Sequence, residues 1–266
     1  MSAMTVTAQD ITGYRAVVRS IMDGAPDDGK ASPVFPFVLA SDAFERMAAE
    51  LRAQGSAGGR VHLGQEIQVY RLIRPGDEVT TDLELLGARR EPRGVRLAVR
   101  CAVRTAGGTP LADLITAALF TGAVTPEPFG DIPQNGAPTP AGEPIPKTVT
   151  VRKIPVQTVR DYARVSRDDN PIHLEDAAAV AAGFPGVIAH GMSVLALVCE
   201  EVVDRFAGGD AARVRALSCR FSGPVRPDEP IEITVGGAAD VVTFACRTPQ
   251  GPALKSGWMR LGEADG

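Results

Sequence analysis

Two residues of complementary chemistry stand five apart across a turn. They are Asp168 and His173, in the run Ser166-Arg167-Asp168-Asp169-Asn170-Pro171-Ile172-His173. Pro171 fixes its own φ and steers Asn170 out of helix, so the chain turns here. The Asn170 side chain can brace that turn. Such a turn aims a carboxylate and an imidazole at one point. Two such groups on one water can orient it, take its proton, and give a proton to carbon in the return step. Seventeen residues on, His190-Gly191-Met192 opens a long apolar stretch. Gly191 falls at a predicted helix start, where backbone N–H groups lack an intrahelical partner. Having no Cβ, it admits a carbonyl oxygen closely, and such a donor stabilises an oxyanion as charge develops. Acid, base and oxyanion donor together suit proton abstraction beside a thioester carbonyl, with water lost or added at the β carbon.

An isolated Asp-x-x-x-x-His would read as a loop cap and a structural imidazole. The Asn-Pro between the two residues and the His-Gly-Met beyond them favour the functional reading. Ser166 lies on the helix face next to the run, and both capping and support of the site fit it. His190 directly precedes a helix and reads as structural, bonding backbone near that N-terminus. His62 opens a strand region in the other half and also reads as structural. Cys199 reads as core, and Arg89-Arg90 as a solvated turn. One Asp and one His are too few ligands to argue a metal.

The elements that must position these groups follow a repeated plan. At 266 residues the chain fits one large domain or two modules of roughly 130 residues each. Ile11, Tyr14, Val18 and Ile21 recur at helical spacing over 9–22. A Pro/Gly/Asp-rich loop, 24–34, follows. A second helix is expected from about Asp42, with Asp42 as N-cap, Glu45 three residues on, and Gly55, Gly58 and Gly59 at its end. Strands are predicted over 65–73, 78–87, 95–104 and 111–121, with strict alternation clearest in 95–104. Residues 124–147 hold seven Pro and no periodicity, and read as a semi-extended linker. Beyond it come helices over 156–166, 176–182 and 191–206, then strands near 213–222, 230–236, 240–247 and 253–261.

The halves mirror each other. Tyr14 answers Tyr162, Phe35-Pro36-x-Val38-Leu39-Ala40 answers Phe184-Pro185-x-Val187-Ile188-Ala189, and Arg74-Pro75 answers Arg226-Pro227, at offsets of 148, 149 and 152. An internal duplication follows, each half a long apolar helix wrapped by an antiparallel sheet, an α+β arrangement. Where the second copy has Asp168, Asn170 and His173, the first has Pro26-Asp27-Asp28-Gly29-Lys30. Where the second has His190-Gly191, the first has Ser41-Asp42. One site in the second half is therefore expected, with the first half lining a substrate cavity.

Composition excludes several classes. A net charge of −4 with no basic run gives no electrostatic reason to expect nucleic acid or an anionic membrane as partner. Cys101, Cys199, Cys219 and Cys246 are scattered in apolar surroundings, as buried free thiols in a reducing compartment would be. No apolar run reaches the roughly 18 residues of a membrane span, and Met1-Ser-Ala-Met-Thr resembles no signal peptide. A cytoplasmic protein is expected.

The pattern Tyr162-x-x-x-Ser166-x-Asp168-x-Asn170-Pro171-x-His173, with Gly183-Phe184 and Ile188-Ala189-His190-Gly191-Met192, resembles the signature of the MaoC-like, R-specific enoyl-CoA hydratases (hydratase 2). The motif covers about 159–200, and the resemblance in plan covers most of the chain. It implies a double hot-dog: a degenerate N-terminal hot-dog over 1–123, a linker over 124–147 and a catalytic hot-dog over 148–266, with the two sheets side by side. By matching positions, Asp168 and His173 would activate the water, Gly191 N–H would hold the thioester oxygen, and Asn170 and Ser166 would support the site. The implied reaction is reversible hydration of a trans-2-enoyl thioester to the (3R)-3-hydroxyacyl thioester. The substrate would be an acyl-CoA or acyl-carrier-protein ester, with phosphopantetheine as part of it and no metal or redox cofactor. Monomer and homodimer both fit. Two positions depart from the family: Arg167 stands where Gly is common, and Cys199 where Ser often lies on the long helix. The alternatives are a hot-dog acyl-thioesterase and a non-catalytic acyl-binding or assembly subunit.

Overall fold

The computed structural model describes residues 3–23, 29–53, 59–124, 127–133 and 136–263. Pro26-Asp27-Asp28 and the expected helix-ending Gly55 and Gly58 lie outside them.

After a short strand β1 (Met4–Thr5), helix α1 (Ala8–Arg19) opens with a reciprocal cap. Asp10 N donates to Thr7 Oγ1 at 3.1 Å, and Thr7 N donates to Asp10 Oδ2 at 2.9 Å. Its buried face carries Ile11, Tyr14 and Val18, as the spacing predicts. Helix α2 (Pro36–Ala53) corrects one expectation. It starts at Pro36, so Asp42 is inside the helix and not its N-cap. Proline suits a first helical position, because its missing N–H would be unpaired there anyway. Strands β2 (Arg60–Val69), β3 (Glu78–Glu91), β4 (Gly94–Thr105) and β5 (Pro110–Thr121) complete the first half. Arg89 and Arg90 belong to β3 and not to a turn. Arg89 donates to the carbonyls of Phe129 and Gly130, at 2.7 and 2.6 Å, in the short strand β6 (Phe129–Gly130).

The stretch read as linker ends in a strand the periodicity missed, β7 (Pro144–Lys153). It lies at the sheet edge, paired only with β9, where Pro144 and Pro146 are tolerated. Helices α3 (Val156–Ser166), α4 (Asp176–Ala181) and α5 (Gly191–Phe206) follow, then strands β8 (Val214–Phe221), β9 (Pro230–Ala238), β10 (Val241–Thr248) and β11 (Gly251–Leu261). These bounds agree with the periodicity to within a few residues.

All the described strands form one antiparallel sheet, in the order β1-β3-β4-β5-β2-β8-β11-β10-β9-β7 with β6 beside β3. Read outward from its centre, the order of the first half repeats in the second: β2 answers β8, β5 answers β11, β4 answers β10, β3 answers β9, and β1 answers β7. The halves join through β2 and β8, from Gln68 opposite Ala216 to Gly64 opposite Arg220. Each half wraps its sheet around a helix, α2 or α5, whose apolar residues fill a shared core. This is the double hot-dog that the resemblance implies.

Helix α1 of the first half is pinned to α5 of the second by buried charge. Arg15 Nη2 and Arg19 Nη1 each lie 2.8 Å from Glu200 Oε2, and Arg19 Nη2 lies 2.9 Å from Asp204 Oδ2. Arg15 is 2% exposed and Glu200 fully buried. The mirrored tyrosines meet nearby, with Tyr14 and Tyr162 hydroxyls 3.3 Å apart.

The sequence mirror at Phe35-Pro36 and Phe184-Pro185 is not a mirror of conformation. The first begins a helix. The second is irregular chain held by Ile188 N to Ile172 O (3.3 Å) and Ala189 N to Val225 O (2.8 Å), so α5 starts only at Gly191.

Candidate active site

Helix α3 ends at Arg167, which adopts the left-handed conformation (φ 59°, ψ 22°) that favours glycine. This is the physical reason glycine suits the position. The Arg167 side chain turns toward the N-terminal segment, 3.1 Å from Met4 Sδ and 3.9 Å from Asp10 Oδ1. The chain then reverses through a series of short bonds. Asp168 N donates to Ser166 Oγ at 3.3 Å, Asn170 N to Asp168 Oδ1 at 3.4 Å, and Ile172 N to Asn170 Oδ1 at 3.4 Å. Asn170 thus caps a single 3₁₀ turn, Pro171–His173. Ser166 is buried, and its carbonyl accepts from Ser41 Oγ of the first half at 3.3 Å.

His173 Nδ1 is 2.8 Å from the Ile188 carbonyl. A carbonyl only accepts, so Nδ1 carries the proton and Nε2 keeps the lone pair in the neutral ring. His190 Nε2 likewise donates to the Asp168 carbonyl at 2.9 Å, and its Nδ1 is buried with no partner among the described residues. Contrary to expectation, the ring does not bond backbone near its own helix start; it instead braces the Asp168 loop across the site. The two imidazoles stack, centroids 3.8 Å apart.

Asp168, His173 and His190 each offer an atom within 4.8 Å of the others. The Asp168/His173 pair by itself offers one carboxylate and one imidazole. The fold adds a second imidazole, so these three are the residues that could hold a cation. Each ring already commits one nitrogen to a backbone carbonyl.

Burial opposes the charge on Asp168, but His190, His173, the Arg60 guanidinium and the Asn170 amide together hold its carboxyl below the ordinary value. Burial lowers His173, only partly offset by Asp168. Burial and the neighbouring His173 bring His190 down to about 4. At neutral pH the pair is a carboxylate beside a neutral imidazole.

Both groups face a cavity of about 310 Å³, which Asn170 and Gly191 also line. Gly191 N–H has no acceptor among the described residues. A Cβ at Gly191 would meet the Phe221 ring at 2.8 Å. The far wall comes from the first half, with Phe37, Phe44, Met47, Val99, Ala118 and Phe120. Sequence reasoning missed three first-half residues here. Ser41 stands opposite His190 in the duplication, which was a usable signal. His62 is packed between Phe37 and Phe221, at ring distances of 5.5 and 4.5 Å, and burial with Arg60 lowers it to about 4. It packs as a structural residue would, but on the cavity wall. Arg60 also lines the cavity, bound to Glu45 at 2.5 Å, and nothing in the sequence marked it. Cys199 is buried in the core, as expected.

Residues 137–244 match the model of the MaoC like domain family. Over these residues the chain is similar to a MaoC-like domain. It is 31% identical over 195 residues to 3-hydroxyacyl-thioester dehydratase X of Mycobacterium tuberculosis, covering 72% of this chain and 64% of that protein. The crystal structure of HtdX from the same organism matches this MaoC-like fold with a TM-score of 0.73 at 25% identity, over 99% of each chain. A MaoC-like dehydratase from Phytophthora capsici shares the fold, with a TM-score of 0.76 at 19% identity over 99% of this chain and 95% of that one. The chain spans less than two thirds of the curated relatives it matches first: 64% of dehydratase X, 25% of an enoyl-CoA hydratase from M. tuberculosis and 4% of a fungal fatty acid synthase beta subunit. Among the described residues no helix is long and apolar enough to cross a membrane.

Proposed function

We propose that the protein is a hydro-lyase that reversibly hydrates a trans-2-enoyl thioester to the (3R)-3-hydroxyacyl thioester. The observation that carries this reading is the convergence of the Asp168 carboxylate and His173 on one cavity, with the unpaired Gly191 N–H at the start of α5. The pair holds a water and takes its proton as the oxygen adds to the β carbon. The electron pair of the double bond moves through the α carbon to the carbonyl oxygen, which Gly191 N–H receives. The pair then returns the proton to the α carbon. Asn170 and Ser166 hold the loop, and the apolar first-half wall takes the acyl chain. The cycle uses water and the substrate alone, with phosphopantetheine entering as part of the substrate and no metal or redox cofactor. Four buried free cysteines support a reducing, intracellular setting.

The test is the ultraviolet absorbance of the enoyl-thioester band with trans-2-enoyl-CoA esters of two chain lengths, followed by chiral analysis of the product. Loss of the band with (3R) product is expected, unaffected by a chelator. Asp168→Asn and His173→Ala are each expected to lower kcat by about 10²–10⁴ while circular dichroism stays unchanged. Release of free thiol without hydration would replace this reading with a thioesterase.

A further inference from the structure

The first half reaches the acid–base pair through a file of buried rings. Tyr14 of α1 stands against Tyr162 of α3, with ring centroids 5.7 Å apart. Tyr162 stands against His190 at 5.0 Å, and His190 is stacked on His173 at 3.8 Å. His190 Nε2 also donates to the Asp168 carbonyl at 2.9 Å. The file therefore ends on both members of the pair. Tyr14, Tyr162, His190 and His173 are all buried. Protein interiors are close-packed, so a shift of one ring is passed to the next.

The far end of the file is fixed. Tyr14 meets the Phe35 ring edge-on at 5.4 Å. The next residue along α1, Arg15, is held by the buried carboxylate of Glu200 in α5, which Arg19 also contacts. A helix anchored in this way gives Tyr14 a set position. Helix α5 opens at Gly191, so the same anchor joins Tyr14 to the helix that carries the oxyanion donor.

Polar chemistry singles out the contact between the tyrosines. Their hydroxyls lie 3.3 Å apart, and among the described residues neither has another partner. Burial pushes both phenols above their usual range, so both stay protonated. One hydroxyl donates and the other accepts. Removing one oxygen leaves the other buried and unpaired, whereas removing both leaves two apolar rings. An unpaired Tyr162 hydroxyl finds relief by moving its ring, and that ring bears on His190. The duplication points the same way. The first half has no His at the places of His173 and His190, yet it has Tyr14 at the place of Tyr162. Any large apolar residue would fill that volume; a second buried hydroxyl serves to pair with Tyr162.

We propose that Tyr14 is a positioning residue for the site in the second half, holding Asp168 and His173 in mutual alignment through Tyr162 and His190. The proposal rests on the hydratase reading above and gives the first half a part in the chemical step beyond lining the cavity. Neither tyrosine lines the cavity. They act through the pair, so their loss slows turnover and leaves binding of the ester intact.

The chain has three histidines, His62, His173 and His190. The imidazole nitrogen resonances of isotope-labelled histidine therefore read the site by NMR without turnover. His62 packs between Phe37 and Phe221, outside the file, and serves as the internal reference. Tyr14→Phe should move the His190 and His173 resonances and leave those of His62 in place. It should lower kcat for crotonyl-CoA by about tenfold, with KM unchanged to within about twofold. Tyr162→Phe should do the same. Tyr14→Phe/Tyr162→Phe should return the resonances toward those of the wild type and recover most of kcat. Unmoved His190 and His173 resonances in Tyr14→Phe, a lowered Tm with kcat unchanged, or a double variant no better than either single one would each overturn the proposal. If the wild type hydrates no enoyl-CoA ester, the hydratase reading fails instead, and the spectra still decide whether Tyr14 sets the two imidazoles.

Discussion

Replacing Gly191 with alanine keeps the α5 backbone donor and adds one methyl group, so it isolates the packing on which the site depends. An ideal Cβ there lies 2.8 and 2.9 Å from two Phe221 ring atoms, where ordinary contact begins near 3.4 Å. The ring has little room to retreat. His62 stands 4.5 Å behind it, centroid to centroid, and is itself stacked on Phe37 at 5.5 Å. Overpacking of this kind costs about 1–3 kcal/mol, against about 0.5–1 kcal/mol that alanine gains over glycine in a helix. The net expectation is a loss of about 0.5–2 kcal/mol. At about 2–4 °C per kcal/mol for a chain of this size, Tm should fall by a few degrees in differential scanning calorimetry. Displacement of the donor relative to the acid–base pair should lower kcat/KM for enoyl-CoA by about 10–100-fold. Leucine at 221 lacks the clashing ring edge, so Gly191→Ala/Phe221→Leu should recover much of the stability, with a coupling of at least about 0.5 kcal/mol in the double-mutant cycle. Wild-type Tm and rate in Gly191→Ala, or strictly additive losses in the double variant, would refute the packing argument.

Three further outcomes are expected. Arg167→Gly relieves a left-handed residue at a gain of about 1 kcal/mol, less a few tenths for its exposed contact with Asp10, so the urea midpoint should rise; a fall would show that the side chain matters more than the backbone. Glu200→Leu leaves Arg15 buried without its carboxylate and should cost about 3–5 kcal/mol, whereas Arg15→Met/Glu200→Leu should regain much of it; equal instability of the two would contradict a charge-based cause. Folded-state pKa values near 4 for His62 and His190, and a lowered value for His173, mean that the folded protein binds fewer protons than the unfolded chain between about pH 6.5 and 4. Stability is therefore complete above that window and lost as pH falls through it. The rate should also decline on the acid side as His173 protonates, and an acid limb centred above pH 6.5 in kcat/KM would contradict a neutral His173.

The sequence by itself determined the parts whose causes are local. Asp168, Asn170, Pro171 and His173 lie within six consecutive residues, and proline geometry with one Asx bond is enough to shape their turn. The bounds of α3 and α5 and the alternation of β4 follow from short-range periodicity. The duplication implies that the two halves share one plan, a helix and an antiparallel sheet in each. Only the tertiary structure decided the rest, because it depends on residues far apart in the chain. Helix α2 begins at Pro36 because burial among distant strands outweighs the local cap signal at Asp42. Strand β7 exists because β9 offers it an edge, despite two prolines. Arg60 and His62 reach the site only through the register of β2 against β8, about 150 residues away. His190 meets Asp168 because loop backbone bonds to Ile172 and Val225 delay the start of α5. The burial of Glu200 against Arg15 joins two helices from different halves. A carboxylate and an imidazole can be paired by a turn; the walls and the charges around them are set by pairing across the whole sheet.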